Sequence, residues 1–572
     1  MDPQGRTDTL GPIHRGLLVA VLAGAAWLAV VAPNPPAPKP ADAPATEFSA
    51  ERAMVHLRAL AQTPRPFGSA ANAAVRDYLS TQLRALGLSA DTQPLPRVRN
   101  QAVPGANVMA RIPGVRDTDY PARAVALVCH HDSVTMGPGA SDNGVAVAAI
   151  LETARALKAG PGLRNDIILL FTDGEETGLD GARAFASGCP WMKDLGLALN
   201  FDARGVTGPV FMYETGAGNG RVIRELAKAA PRPVANSLMY EVYQHMPNDS
   251  DFTVFKQARL PGLNFAFIGD PQHYHAPTDD LAHVSRRSLQ HDGSYALSLA
   301  RHFGNLDLTQ LEATDAVYFD LFGRWLVHYP VAWASLLAVL AAVLFLGVTV
   351  LELKCGAVTV GKLVGGWLTW GAFGLIIGLG FRYGPGWVSG WSRHASTWLY
   401  QLPGWPYWWA AVGVTVAVGA MLYAVLRRRL GPLNLALGGL AWWVILALGS
   451  AHWLPGASYA SLWPLLFCLV GVVAASRMTM APWPRWTWLV ITALPTMVFV
   501  MALVYGFFVA LGPQAMHVPM VVLALSLAAL SSRGQSSLLT QLRCAGTFAA
   551  CRAQLALELE DVICQVSATD AI

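Results

Sequence analysis

Five short segments between residues 129 and 279 concentrate the side chains that bind cations and move protons. They are Cys129-His130-His131-Asp132-Ser133, Gly139-Ala140-Ser141-Asp142-Asn143-Gly144, Thr172-Asp173-Gly174-Glu175-Glu176-Thr177-Gly178, Asn200-Phe201-Asp202-Ala203-Arg204-Gly205 and His273-Tyr274-His275-Ala276-Pro277-Thr278-Asp279. Brought to one cleft, these carboxylates and imidazoles would carry excess negative charge unless cations bind there. Carboxylate and imidazole donors without thiolates suit zinc, and less exclusively manganese or cobalt. The seven cysteines are scattered and none forms a C-x-x-C pair, so neither a thiolate zinc site nor a disulfide framework is indicated.

The surrounding pattern must bring these segments together. Three short apolar runs read as buried strands: Ala124 to Cys129, Asp166 to Thr172 and Leu197 to Phe201. A helical pattern from Val145 to Leu157 lies between the first two, and Val75, Tyr78, Leu79, Leu83 and Leu86 form a helical apolar stripe within Ala73 to Leu88. Strands alternating with helices predict an α/β fold, a mixed and largely parallel sheet sandwiched by helices. Three of the five segments directly follow a strand. In such sheets ligands bind outside the carboxyl ends of the strands, so the clusters can share one rim.

In order and type, the five segments resemble the signature of the co-catalytic zinc aminopeptidases of the bacterial leucine-aminopeptidase type, related to glutamate carboxypeptidase II and the transferrin receptor. That signature is H-x-D, a G-A-x-D-N turn, a Glu-Glu pair, a strand-end acid and a late His; here it reads His130-His131-Asp132, Asp142, Glu175-Glu176, Asp202 and His275. Together with the apolar segments that follow, the architecture is similar to the membrane-bound branch, the endoplasmic-reticulum and vacuolar membrane metallopeptidases. The resemblance implies the zinc exopeptidase type of fold and two zinc ions per chain. It assigns one ion to His130 and Asp202, the other to Glu176 and His275, with Asp142 bridging. It implies that Asp132 orients the His130 ring through its second nitrogen, that Glu175 is the general base, and that Tyr274 is an oxyanion donor. Relatives of the membrane branch often carry Glu where this chain has Asp202; either carboxylate can ligate.

Several positions have a plainer reading. Side chains alternate along a strand, so only one of His130 and His131 can face the ions, and the H-x-D spacing points to His130. Glu175 and Glu176 could be a solvated loop pair, Asp132 a surface turn residue, Asp202 a cap and Tyr274 a packing residue. Ser250-Asp251-Phe252 resembles a family segment near the substrate but reads equally well as a turn. His245 and His273 fit structural or exposed positions, and Cys129 fits a small core residue.

Composition places this chemistry beside a membrane. Hydrophobic residues make up 53% of the 572-residue chain, charged ones only 14%, and there are 19 Trp. A net charge of +4 is too small to argue for nucleic-acid binding. Residues 1–15 read as a cytoplasmic N-terminus, and 16–32 as an apolar run preceded by Arg6 and Arg15. That run reads as a signal anchor rather than a signal peptide, because its length can span a bilayer and no clear cleavage site follows. Residues 33–46 read as a Pro/Ala-rich semi-rigid linker, 47–308 as the metallopeptidase domain and 329–531 as a multi-span helical membrane domain. No function attaches to the tail, 532–572.

Candidate spans lie near Val331–Leu351, Val358–Phe381, Trp408–Leu426, Leu435–Ala451, Leu462–Ala475, Trp486–Leu511 and Val518–Leu530, eight with the anchor. With the N-terminus inside, the cytoplasmic loops carry Lys354, Lys362, Arg427 to Arg429, Arg477, Arg485 and Arg533, and the opposite loops only Arg382 and Arg393. The positive-inside rule then puts the peptidase domain on the non-cytoplasmic side: the periplasm, or an organelle lumen in a eukaryote.

The function expected is hydrolysis of peptide bonds, most readily removal of N-terminal residues, with peptides and the lipid bilayer as partners; the oligomeric state is undetermined. Rivals are a carboxypeptidase or dipeptidase, a glutaminyl-cyclase-like enzyme with one working zinc, and a non-catalytic receptor, scaffold or transporter. The full ligand set and Glu175 argue against the last two. A transporter would show charged residues inside its spans, and almost none are present.

Overall fold

The computed structural model describes residues 12–95, 103–115, 123–391, 404–477, 482–512 and 515–530. The tail 532–572, most of the N-terminal segment that reads as cytoplasmic (1–11, with Arg6), and the loop residues Arg393 and Arg533 lie outside the described residues. Two compact units emerge: Val31–Ala334 with Leu454–Ala457, and the remainder.

The first unit follows helix α1, Pro12–Val31. It contains, in order, α2 (Ala50–Leu60), α3 (Ala70–Ala85), β1 (Asp91–Pro94), β2 (Ala106–Ile112), β3 (Ala124–His130), α4 (Ala146–Lys158), β4 (Asp166–Thr172), α5 (Glu175–Gly178), α6 (Asp180–Gly188), β5 (Leu195–Ala203), β6 (Thr207–Thr215), α7 (Gly220–Ala229), α8 (Ser237–Tyr243), α9 (Asp251–Gln257), β7 (Gly262–Gly269), α10 (Arg286–Phe303), β8 (Ala316–Leu321) and β9 (Trp325–Pro330). The three strands expected from apolar runs are present as β3, β4 and β5, and the helix between the first two as α4.

Strands β1 to β7 form one sheet in the order β1-β2-β4-β3-β5-β7-β6. The central β4, β3, β5 and β7 run parallel, while β2 pairs antiparallel with β4 and β6 with β7. β3 is buried along its whole length. Its alternate residues feed two apolar layers, Val125, Leu127 and Cys129 on one face and Ala124, Ala126 and Val128 on the other. A strand covered on both faces must be apolar throughout, which is why it reads as a continuous run. The parallel arrangement also brings the carboxyl ends of β3, β4, β5 and β7 to one rim.

Two segments differ from their reading in sequence. The Pro/Ala-rich stretch after α1 is strapped to the domain rather than free. Arg52 donates to the carbonyls of Ala41 (2.7 Å), Ala43 (2.8 Å) and Glu47 (2.6 Å), Arg155 to that of Ala45 (2.8 Å), and Arg287 Nε to that of Pro35 (3.0 Å). Proline-rich backbone lacks donors for sheet pairing but leaves its carbonyls open to guanidinium groups. The globular unit also extends past residue 308 to include the β8–β9 hairpin, whose two strands pair antiparallel.

The second unit is helical: after α1 come α11 (Trp333–Lys354), α12 (Val360–Trp391), α13 (Gly404–Leu430), α14 (Pro432–Trp453), α15 (Tyr459–Arg477), α16 (Pro482–Leu511) and α17 (His517–Leu530). Each expected span after residue 329 falls on one of these helices. Among the described residues five are long and apolar enough to cross a membrane, in α11, α12, α13, α14 and α16; Val19–Val31, Tyr459–Val473 and His517–Leu527 are shorter apolar helices. Cys129 and Cys189 are free and buried. Cys355 is disulfide-bonded, a pairing that the spacing of the cysteines did not indicate.

Candidate metal centre

The rim of the parallel sheet positions the acidic and His side chains one by one. His130 is the last residue of β3, paired with Thr172 of β4, and Asp202 is near the end of β5. Glu175 and Glu176 open α5, a single turn bracketed by residues in the left-handed region, Gly174 (φ 73°) and Leu179 (φ 61°). That turn swings both glutamates back over the strand ends. Asp142 lies in an irregular turn, Ala140–Val145, just before α4, and its peptide bond to Asn143 is cis. His275 follows β7 and is itself left-handed, at φ 54°. A left-handed conformation is uncommon for a residue with a Cβ and persists where the surroundings over-determine it.

These donors converge. His130 Nε2 lies 3.2 Å from Asp142 Oδ1 and 3.6 Å from Asp202 Oδ1. His275 Nε2 lies 3.1 Å from Asp142 Oδ2 and 3.0 Å from Glu176 Oε2. In each of the groups His130–Asp142–Asp202 and Asp142–Glu176–His275, one ligand atom per residue falls within 4.8 Å of the others, and Asp142 is common to both. A third grouping, His130–Glu175–Glu176, meets the same criterion. His275 Nε2 and Glu176 Oε1 are buried and close no directed hydrogen bond. Atoms at such distances that do not bond one another are disposed as ligands aimed at a shared centre, and this donor set fits divalent zinc.

Around the donors stands a layer of supporting bonds. Asp132 Oδ1 is 3.3 Å from His130 Nδ1. The same carboxylate accepts the backbone N–H of Glu175 (3.2 Å) and of Glu176 (3.3 Å), so one side chain orients the imidazole and anchors the glutamate turn. His131 faces elsewhere: its Nε2 is 3.2 Å from the Ala106 carbonyl and its Nδ1 3.4 Å from Asn72 Nδ2, beside Asp173. Asp279 is a supporting residue to which the sequence attached no role. Its carboxylate accepts the N–H groups of Ser141 (2.7 Å) and Asp142 (3.0 Å), tying the loop of His275 to the turn of Asp142. Its place in the fifth acidic and His segment was the available signal. The Tyr274 ring stacks on His275 with centroids 3.8 Å apart. Ser250 and Asp251 start α9, and Thr172 Oγ1 donates to Asp251. His245 and His273 bond locally, to the Glu241 carbonyl and to Thr278 Oγ1.

The carboxylates and imidazoles of the rim act strongly on one another. Burial, then the negative charges of Asp202, Asp251 and Glu176, pushes Glu175 well above the usual carboxylate range. Burial and Asp142 push Glu176 up to about 7. Burial opposes ionisation of Asp142 too, but the two imidazoles beside it prevail and hold it at about 2. Burial disfavours a charged His275, yet Asp142 and Glu176 outweigh it and raise it to about 10. Burial likewise opposes a charged His130, and Asp132, Asp142 and Asp202 raise it well above its ordinary value. Tyr274 is raised by burial and then by Asp142, Asp202, Glu176 and Glu175.

Residues 107–300 match Peptidase family M28, and the chain carries an M28 peptidase domain. Among its relatives are endoplasmic reticulum metallopeptidase 1 of Rattus norvegicus, 29% identical over 53% of this chain, and the vacuolar membrane protease of Eremothecium gossypii, 28% identical over 48%. The matched stretch covers 36% and 29% of those proteins, so the chain spans about a third of the length of the curated relatives it matches. Among solved structures, the aminopeptidase from Aneurinibacillus sp. strain AM-1 aligns over 47% of this chain and 98% of its own, at 15% identity and a TM-score of 0.39.

Proposed function

We propose that the chain is a membrane-anchored metallopeptidase that removes N-terminal residues from peptides with two zinc ions. The observation that carries this reading is the pair of ligand groups sharing Asp142. His130 and Asp202 would hold one ion, Glu176 and His275 the other, with Asp142 between them. When bound, the two ions would supply the charge that lowers the pKa of the attacking water and polarises the scissile carbonyl. The chain's own groups do the rest. Glu175 takes a proton from the water and delivers it to the leaving amine nitrogen as the C–N bond breaks. Asp132 keeps the His130 ring in place and the glutamate turn fixed. Tyr274 supplies an O–H at the rim for the developing oxyanion, and its raised pKa keeps that proton on the phenol.

A panel of aminoacyl and N-blocked peptides, with and without chelator, tests the reading. The expected result is cleavage of free-amine substrates only, abolished by chelator and restored by zinc, with two ions bound per chain. Cleavage of N-blocked peptides would replace it with a carboxypeptidase. Cyclisation of N-terminal glutamine with one ion bound would replace it with a glutaminyl-cyclase-like enzyme, and zinc-loaded protein inert on every substrate would leave a receptor or scaffold.

The Lys and Arg asymmetry of the loops supports a non-cytoplasmic peptidase domain. A reporter enzyme fused after Arg429 is expected to behave as cytoplasmic and one fused after Pro455 as external. Reversed activities would place the catalytic domain on the other side.

A further inference from the structure

We infer that Arg65 is a positioning residue for the metal centre: its guanidinium sets the spacing between the loop leaving His130 and the turn carrying Asp142 before any cation arrives. The inference rests on the reading of this centre as a metal site. Arg65 lies between α2 and α3, far in sequence from every donor, and is 1% exposed. Its Nε donates to the carbonyl of His131 (2.7 Å), next in the chain to His130. Its Nη1 donates to the carbonyl of Pro138, and its Nη2 to that of Gly139 (2.9 Å), immediately before the Asp142 turn. The main chain adds a reciprocal pair: Arg65 N–H donates to Ser133 Oγ (3.0 Å) and Ser133 N–H to the Arg65 carbonyl (3.2 Å). Ser133 Oγ in turn lies 3.2 Å from the Gly137 carbonyl. The segment from His131 to Gly139 is therefore wrapped around one guanidinium.

The charge has no carboxylate in contact, since no ion pair among the described residues involves Arg65. Burial lowers its pKa, and Asp132, Asp279, Asp142 and Glu176 oppose that from a distance. A guanidinium stays protonated in proteins. Its planar fork fixes several acceptors at defined separations, which an ammonium on a flexible stem cannot do. The loop geometry is thus built around a permanent cation, and zinc meets ligands already spaced.

The test is zinc affinity of the full-length, detergent-solubilised protein, measured by competition with a chromophoric chelator, for Arg65→Met and Arg65→Lys. Groups that orient metal ligands typically contribute about 10- to 100-fold to metal affinity, and both variants are expected to lose affinity in that range. Excess zinc should restore kcat while KM stays at the wild-type value, because Arg65 is buried and its guanidinium is engaged with the carbonyls of His131, Pro138 and Gly139. Electrostatics alone predicts the opposite for Arg65→Met, since removing a cation beside divalent ions would tighten their binding. Wild-type or tighter zinc binding by Arg65→Met overturns the inference. So does Arg65→Lys with wild-type affinity, since charge alone would then suffice. If both variants unfold even with zinc present, Arg65 is a folding residue and the inference falls. Wild-type protein that binds no zinc would defeat the metal reading itself, which separates the two failures.

Discussion

Glu175→Gln is expected to lower kcat by about 10²- to 10⁴-fold, toward the upper end because the proposed role uses the same carboxylate twice, as base toward water and as acid toward the leaving amine. Bound metal should stay near two ions per chain. Glu176→Gln should lose metal as well as rate. The two residues are adjacent, and the backbone N–H of each is held by Asp132, so neither substitution need disturb the turn. What differs is where the side chains reach. Glu176 Oε2 lies 3.0 Å from His275 Nε2, within the group that shares Asp142. Glu175 joins a group only with His130 and Glu176. A neutral amide of the same shape cannot accept a proton, but it leaves the five proposed ligands in place. Rate and bound metal should be measured on both variants. If Glu175→Gln keeps near wild-type turnover, or sheds metal as severely as Glu176→Gln, the two roles must be exchanged.

Asp142→Ala should remove both ions and reduce hydrolysis to background, whereas His275→Ala should lose only one ion. Asp142 is the one donor common to the two groups that pair His130 with Asp202 and Glu176 with His275. Its two carboxylate oxygens face different imidazoles, Oδ1 toward His130 at 3.2 Å and Oδ2 toward His275 at 3.1 Å. Truncation therefore removes a negative charge from both positions, whereas loss of His275 leaves His130, Asp142 and Asp202 intact. Metal analysis of the purified variants decides the point. Asp142→Ala protein that retains two ions, or His275→Ala protein that retains none, would rule out a bridging role.

Read alone, the sequence contained the chemistry and the strands that carry it. β3, β4 and β5 are each bounded by a polar cluster, and buried central strands are continuously apolar because both faces are covered. Their chemical residues sit at or just past the strand ends, so residue type and position marked the five segments, and the resemblance to the co-catalytic zinc aminopeptidases picked out His130, Asp132, Asp142, Glu175, Glu176, Asp202 and His275 within them. The long apolar helices were legible for a similar reason, since composition over about 20 residues is a local property.

What local pattern cannot carry is a bond between distant residues. The H-x-D spacing pointed to His130, but the partners that hold the His131 ring away from the donors, Asn72, Ala106 and Asp173, come from α3, β2 and the residue after β4. Asp279 reaches Ser141 across 138 residues, and Arg65 reaches Gly139 across 74. The strap after α1 reads as a spacer because its proline-rich backbone has no pattern of its own; Arg52, Arg155 and Arg287 hold it from elsewhere in the chain. Hydrophobic periodicity records which face of an element is buried. It does not record which distant carbonyl or carboxylate a buried donor will meet, because that pairing is settled only when the sheet has brought its strand ends to one rim.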